Sequence, residues 1–228
     1  MSEKNFDIFL NLSSRKLSIA AFKKFDSSSI FFNEYICESG LNKNELNFDN
    51  IDKIIKKNIF EIEKITGSFL NDLYLMIETP KSISISLSLT KSNDAKKIQR
   101  KDVQYLIQDA KQQILRTHHD KDIVHIIISN YVINNINYDY LPTDINCKKF
   151  SIDIEFICFS KNLIKKLEKL FNNHQIYINK IICSNYAKSV DKNQSCLNIC
   201  ESGLKLTQGI NKQEVVIVPR KSEKKGFF

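Results

Sequence analysis

The chain has 228 residues, enough for one or two domains with a proper core, and its 42% hydrophobic and 26% charged residues are the balance of an ordinary soluble globular protein. No run approaches the roughly 20 apolar residues of a membrane span, and the opening MSEKNFDIF lacks the apolar stretch of a signal peptide. The formal net charge of +8 accompanies heavy use of Lys, Asn and Ile along the whole chain, so it reads as compositional bias and does not single out nucleic acid.

The first third is expected to run strand, strand, strand, helix, strand, strand. Residues 6–12, 16–23 and 29–36 are β-rich runs separated by polar turns. Only 5 Gly and 3 Pro are present, so turns must be built from Asn, Ser, Asp and Lys, whose short polar members bond nearby backbone. NIDKIIKKNIFEIEKITG sets Ile51, Ile54, Ile55, Ile59, Ile62 and Ile65 at helical spacing, with Gly67 as the stop. DLYLMIE reads as a buried strand. KSISISLSLTK alternates Ile83, Ile85, Leu87 and Leu89 with four serines, which predicts one covered and one wet face.

The polar junction SNDAKKIQR marks the expected domain boundary, with the first domain comprising residues 1–96 and 191–219 and a second module residues 97–190. KDVQYLIQDAKQQILRT is an amphipathic helix with Val103, Leu106, Ile107, Ala110 and Ile114 inward. Strands follow at DIVHIIIS and YVINNINY, then a loop through Pro142, an alternating strand KFSIDIEFICFS, a helix KNLIKKLEKLF and a strand QIYINKIIC. A last helix is expected within SCLNICESGLKLTQG and a short strand at QEVVIVP, before a basic tail, residues 220–228.

The six cysteines, Cys37, Cys147, Cys158, Cys183, Cys196 and Cys200, form no CxxC and read as reduced, mostly buried thiols of a cytoplasmic protein. His118, His119, Asp120, Asp122 and His125 are the densest group of potential ligands, but their spacing fits no closed zinc pattern. No metal site and no cofactor are expected. Asp153 and Glu155 lie two apart and share one face of their strand, a solvent face first and an acid pair second. GxSxG, GxxxxGK[ST] and GxGxxG are all missing, and no aromatic-interleaved basic platform is present. An enzyme would have to draw on His125, Asp153 or a cysteine, and a nucleic-acid protein would show steeply salt-dependent retention on heparin. Neither is the expected function.

The order of pieces says more than any site. Leu10-Asn11-Leu12-Ser13-Ser14-Arg15-Lys16 stands where a strand-borne phosphate turn of the LDIGTSK type would stand. Ser39 to Asn47 is similar to an SxGxxxGxV segment, and EIEKITG to an AExxAG helix end at Glu63 and Gly67. Ile98 to Ala110 and the stretch anchored by His125, Tyr131, Pro142 and Phe150 continue the pattern, with YINKIICSNYAKSV closing it near Val190. On these residues the chain resembles the FtsA family, the actin-like membrane tethers of the bacterial division ring. The resemblance implies an α/β (α+β) fold: a reduced actin-like (ribonuclease H-like) domain with an inserted helix-strand module of the SHS2/1C kind.

The departures shape the expected function. Asn11 replaces the acid that would organise a Mg²⁺ shell, and Ser13 replaces the glycine that lets backbone approach a phosphate. The turn Asn11, Ser13, Ser14 is therefore expected to be degenerate, with no ATP bound. The family's second half, with its adenosine pocket, has no counterpart here and looks deleted. What the resemblance then implies is a non-enzymatic divisome adaptor working through protein contacts. Its partners would be division-ring proteins: a basic tail of the FtsN kind meeting Asp153 and Glu155, and FtsZ or FtsA-type proteins. A homo-oligomer is a further expectation. Lys224, Lys225, Phe227 and Phe228 are membrane-contact candidates, giving a cytoplasmic protein peripheral at the inner membrane. The alternative within the same plan is a pilus-assembly scaffold of the PilM kind.

Overall fold

The computed structural model describes residues 5–37, 46–190 and 196–215. The tail with Lys224, Lys225, Phe227 and Phe228, most of the Ser39 to Asn47 segment and the end of QEVVIVP lie outside the described residues.

Two sheets carry the fold. In the first, β1 (Phe6–Leu12) pairs antiparallel with β2 (Lys16–Lys23), which pairs antiparallel with β3 (Ser29–Ile36). On its other side β1 lies parallel to β4 (Asp72–Ile77), and β4 parallel to β9 (Tyr177–Cys183), giving the order β3-β2-β1-β4-β9. A three-strand meander continued by parallel strands is the arrangement that the reduced actin-like, ribonuclease H-like reading requires.

β1 and β2 are buried almost throughout because helices cover both faces. Helix α1 (Phe48–Thr66) is opened by Asn47, whose side chain accepts from the Asn50 N–H, and closed by Gly67 at φ 65°. It buries Ile51, Ile55, Asn58 and Ile62. Ile65, expected inward, is 53% exposed: the last turn carries it to a shallow pocket beside Phe25 and Ile30. Helix α5 (Ile199–Thr207) packs on β1 and β2, and it comes close because Gly203 has no side chain to meet Met76 and Phe9.

The second sheet is antiparallel, in the order β5 (Ile83–Lys97), β8 (Asn146–Ser160), β6 (Lys121–Ile133), β7 (Ile136–Tyr138). The β6–β7 turn is Asn134-Asn135, both at positive φ as a tight hairpin requires. Helix α2 (Arg100–Thr117) covers one face with Val103, Leu106, Ile107, Ala110 and Ile114, the five residues its spacing singled out. The strand of alternating serines does not join the first sheet. It is β5, paired with β8, and it runs through the junction at 96–97. Conversely α3 (Lys161–Asn172), β9 and α4 (Ser184–Val190) come from the 97–190 stretch yet contribute Leu167, Phe171, Ile182 and Ala187 to the first core. Helix α4, which follows β9 without a loop, is an element the sequence reading did not separate.

β8 joins the two units by changing character along its length. Ile152, Ile154, Phe156 and Cys158 face α2 in the second core. On the opposite face Asp153 and Glu155 give way to Ile157 and Phe159, which belong to the first core together with Ile127 of β6. The face expected to be wet is thus wet only as far as Glu155.

Candidate functional site

Where the open face of the second sheet meets the first domain, a groove of ≈ 670 Å³ runs between the sheets. Ser82, Ser84, Glu155 and Ile157 form one wall, Asn185, Tyr186 and Ser189 of α4 another, and Ile210, Asn211 and Gln213 a third. Glu155 stands at the lip and accepts a hydrogen bond from the Ser84 hydroxyl. Asp153, the second expected acid, lies further out on the same face and accepts from Asn130 Nδ2 at 3.2 Å. The pair shares a face, but only Glu155 lines the groove.

Behind the groove lies a buried polar network that the sequence did not announce. His125 is 1% exposed. Its Nε2 accepts the backbone N–H of Cys183 at 2.9 Å, so this nitrogen is unprotonated, and its Nδ1 donates to Glu214 Oε1 at 2.9 Å. The geometry therefore fixes a neutral imidazole in one tautomer. Burial pushes its pKa below the ordinary histidine value, against the opposing pull of Glu214. Glu214 also accepts from Lys180 Nζ at 3.1 Å and from the Tyr186 hydroxyl at 3.2 Å, and Asn211 Nδ2 donates to that hydroxyl at 2.7 Å. Burial alone would raise the Glu214 carboxyl; the hydrogen bonds from His125 and Lys180, with the Lys180 charge, outweigh it and hold the pKa below the usual carboxylate range. Burial also raises the Tyr186 phenol, whose ring lies 4.6 Å from the imidazole.

Glu214 reaches this position because residues 213–215 add to β6 as a short antiparallel strap. The Ile128 N–H donates to Gln213 O at 3.0 Å and the Val215 N–H to Ile126 O at 2.8 Å. Of this network only His125 stands out in the sequence. Lys180 did leave a signal, a lone cation inside the apolar strand YINKIIC. Glu214 left none, because its partners come from β6 and β9, 89 and 34 residues away.

The β1–β2 turn is closed by its own side chains. Ser13 Oγ accepts the Lys16 N–H at 2.9 Å and donates to Lys16 O at 3.0 Å, while Ser14 occupies the turn beside it. Asn11 is buried and accepts from Ser184 Oγ at 2.6 Å. The ≈ 420 Å³ hollow beside the turn is lined by Asn11, Ser13, Glu34 and Glu78, with Lys16 paired to Glu34 at 2.7 Å and Lys188 to Glu78 at 2.9 Å. The Lys16 hydrogen bond holds Glu34 below the usual carboxylate range. The hollow is thus lined by two carboxylate–lysine pairs.

The His118 to His125 cluster is not brought together. His118 bonds Thr117 at the end of α2, His119 is exposed, and His125 lies in the interior. Among the described residues no group of three or more His, Cys, Asp or Glu is arranged to hold a metal. Cys37, Cys147, Cys158, Cys183 and Cys200 are buried and Cys196 half-buried. Burial raises the Cys158 thiol to about 11 and the Cys200 thiol to about 12, the opposite of an activated nucleophile. Among the described residues no helix is long and apolar enough to cross a membrane.

No family model matches the chain, and no curated protein matches it. Solved structures do. The chain is similar to a chain of the PilM-PilN type IV pilus biogenesis complex over 79% of its own length and 48% of the other, at 5% identity and a TM-score of 0.49. It is similar to a Bacteroides thetaiotaomicron protein with an actin-like ATPase fold over 81% and 54%, at 12% identity and a TM-score of 0.37. The cytoplasmic domain of EpsL, an inner membrane component of the Vibrio cholerae type II secretion system, matches over 80% and 58%, at 6% identity and a TM-score of 0.42. The chain spans about half the length of these structures, 48% to 58%. At such identities the likeness concerns the fold alone.

Proposed function

We propose that this chain is a non-enzymatic adaptor that holds a segment of a partner protein in the groove between its two sheets. The observation carrying this reading is the construction of the groove: polar side chains from β5, β8, α4 and residues 211–213 converge on it, and Glu155 puts a carboxylate at its mouth. With Asp153 continuing the acidic face outward, a basic or polar segment is the complementary occupant. Tyr186 and Asn211 of the groove wall and the buried His125 and Glu214 behind them satisfy each other's donors and acceptors, which suits a structural latch better than a catalytic set. The β1–β2 turn, whose Ser13 side chain is bonded to its own backbone, and the engagement of Lys16 and Lys188 by Glu34 and Glu78 support an adaptor that works without ATP.

The finer assignment is a place in the division ring at the cytoplasmic face of the membrane, with a tail of the FtsN kind as the groove's occupant. It rests on the sequence resemblance from Ile98 to Val190. A further support is the module order strand, helix, then three strands, from β5 through α2, β6 and the short β7 to β8. The alternative is a pilus-assembly scaffold of the PilM kind. Affinity capture of the tagged full chain from its native cells, read by mass spectrometry beside a double Asp153→Lys/Glu155→Lys variant, tests the reading. Division-ring proteins captured by the parent chain and lost from the variant support the division assignment, and pilus proteins lost in the same way support the alternative. Partners captured equally by both proteins remove the groove from the function.

A further inference from the structure

β5 is an edge strand of the second sheet, and among the described residues no strand pairs with its outer side. Sheet edges are normally protected by lysines, prolines, bulges or covering segments, because an open edge templates pairing with another chain. The far half of β5 has such protection: Lys91, a register break between Ser92 and Lys96 with Asp94 and Ala95 at positive φ, and then Lys96 and Lys97. The near half has none. From Ile83 to Thr90 the sequence is ISISLSLT, with no charge, no proline and no break in its pairing with β8.

That half also reads alike in both directions. Ile83, Ile85, Leu87 and Leu89 occupy the α2 side of the sheet and remain only half-buried, while Ser84, Ser86, Ser88 and Thr90 are exposed on the other side. Antiparallel pairing with an identical strand about a two-fold axis through Leu87 sets Ile85 opposite Leu89, Ser86 opposite Ser88 and Ser84 opposite Thr90. Apolar side chains then meet apolar ones and hydroxyls meet hydroxyls, as an isologous contact requires. Tyr105 of α2 adds to the same rim: its ring lies 5.4 Å from Lys91 Nζ and is 66% exposed.

We infer that the Ile83–Thr90 edge is a homodimer surface, at which two copies join β5 to β5 into one eight-stranded antiparallel sheet. The occupant is a second copy because the strand offers no charge for a different partner to read, whereas its alternation matches its own reversal. The two α2 helices then cover the same face of the joined sheet and bury the half-exposed Ile85, Leu87 and Leu89, while Ile83 meets Lys91 of the other copy at each end of the contact. The groove at Glu155 touches this edge only at its near end, where Ile83 and Ser84 line it, and its other walls, from α4 and residues 210–213, lie away from β5.

Sedimentation equilibrium of the full chain across micromolar concentrations tests this, with a Ser86→Lys/Ser88→Lys variant beside it. Both serines are exposed on the open face, so the monomer keeps its fold, which circular dichroism checks. In the dimer each lysine faces a lysine of the other copy. The parent protein is expected to show a monomer–dimer equilibrium and the variant a dissociation constant weaker by about tenfold or more. Mixing that variant with a Ser86→Glu/Ser88→Glu variant is expected to restore dimers as mixed pairs. A parent chain that stays monomeric overturns the inference, as does a lysine variant that dimerises like the parent or a mixture that recovers nothing.

Discussion

Replacing Glu214 by alanine is the sharpest test of the buried network. His125 Nδ1–H has Glu214 as its acceptor, and the imidazole cannot turn to the other tautomer without abandoning the Cys183 N–H. The substitution therefore strands a donor whose side chain is 0% exposed, next to a carboxylate site that was itself 8% exposed. A buried donor left unsatisfied costs about 1–3 kcal/mol, and a hydrogen bond to a charged group contributes about 1.5–3 kcal/mol; these overlap because they describe one contact. Tyr186 retains Asn211, and Lys180, 39% exposed, regains water, so neither adds much. The expected loss is about 2–3 kcal/mol, out of a total of about 5–15 for a protein of ordinary stability. For a chain of this length that lowers Tm by about 5–10 °C. Urea unfolding followed by circular dichroism measures it. Glu214→Gln keeps an acceptor for His125 and should lose less than half as much. A Glu214→Ala protein within about 0.5 kcal/mol of the parent would refute the reasoning, because the network would then not hold the strap to β6.

The same network sets a pH dependence. His125 is depressed below its ordinary 6.5, so the unfolded chain binds a proton that the folded one refuses: its contribution is whole above pH 6.5 and fades as pH falls below it. Glu214, also depressed, repeats this below its ordinary 4.5, so urea midpoints should fall from pH 7.5 to 5.5 and again below 4.5, and His125→Gln should flatten the first step. At Gly203 an added Cβ would lie 2.5 Å from Met76 Sδ and 3.2 Å from Phe9 Cδ1, both fully buried. Overpacking of about 1–3 kcal/mol against a helix-propensity gain of about 1 predicts a net loss near 1 kcal/mol for Gly203→Ala; a stabilised variant would show that Met76 yields freely. Saturating Mg-ATP should leave Tm unchanged, whereas a ligand at a hundredfold its Kd would add about 2.7 kcal/mol. A thiol-reactive dye should label Cys196 rapidly and the five buried thiols only in denaturant; rapid labelling of Cys200 would contradict its place on the buried face of α5, against the Phe9 and Ser18 carbonyls.

Most elements were legible because each carries its own period. The α1 and α2 stripes, the alternation of β5 and β8 and the buried run of β1 are local statements of which side faces a core, and the structure keeps them. Less legible was where a stripe stops mattering. Ile65 continues the α1 pattern yet is exposed, because the helix there has run out to a surface pocket. Helix α4 was not separated from β9, since seven residues without a turn signal leave too little pattern to read.

Partnership was the larger gap. The ISISLSLT alternation shows that β5 has a covered face and a wet one, but not which sheet it joins, and it pairs with β8 some seventy residues on. Asp153 and Glu155 share a face by strand geometry alone, yet only the packing of Ile157 and Phe159 on the first domain puts Glu155 at a groove and leaves Asp153 outside it. In the same way His125 was visible as a residue, while its neutral tautomer, its carboxylate and the strap that delivers Glu214 were not. The sequence by itself determined periodicity, which is fixed by the backbone and each residue's solubility in water. Only the tertiary structure decided adjacency, because the free energy of a buried hydrogen bond or an apolar contact depends on distance in space and carries no mark of separation along the chain.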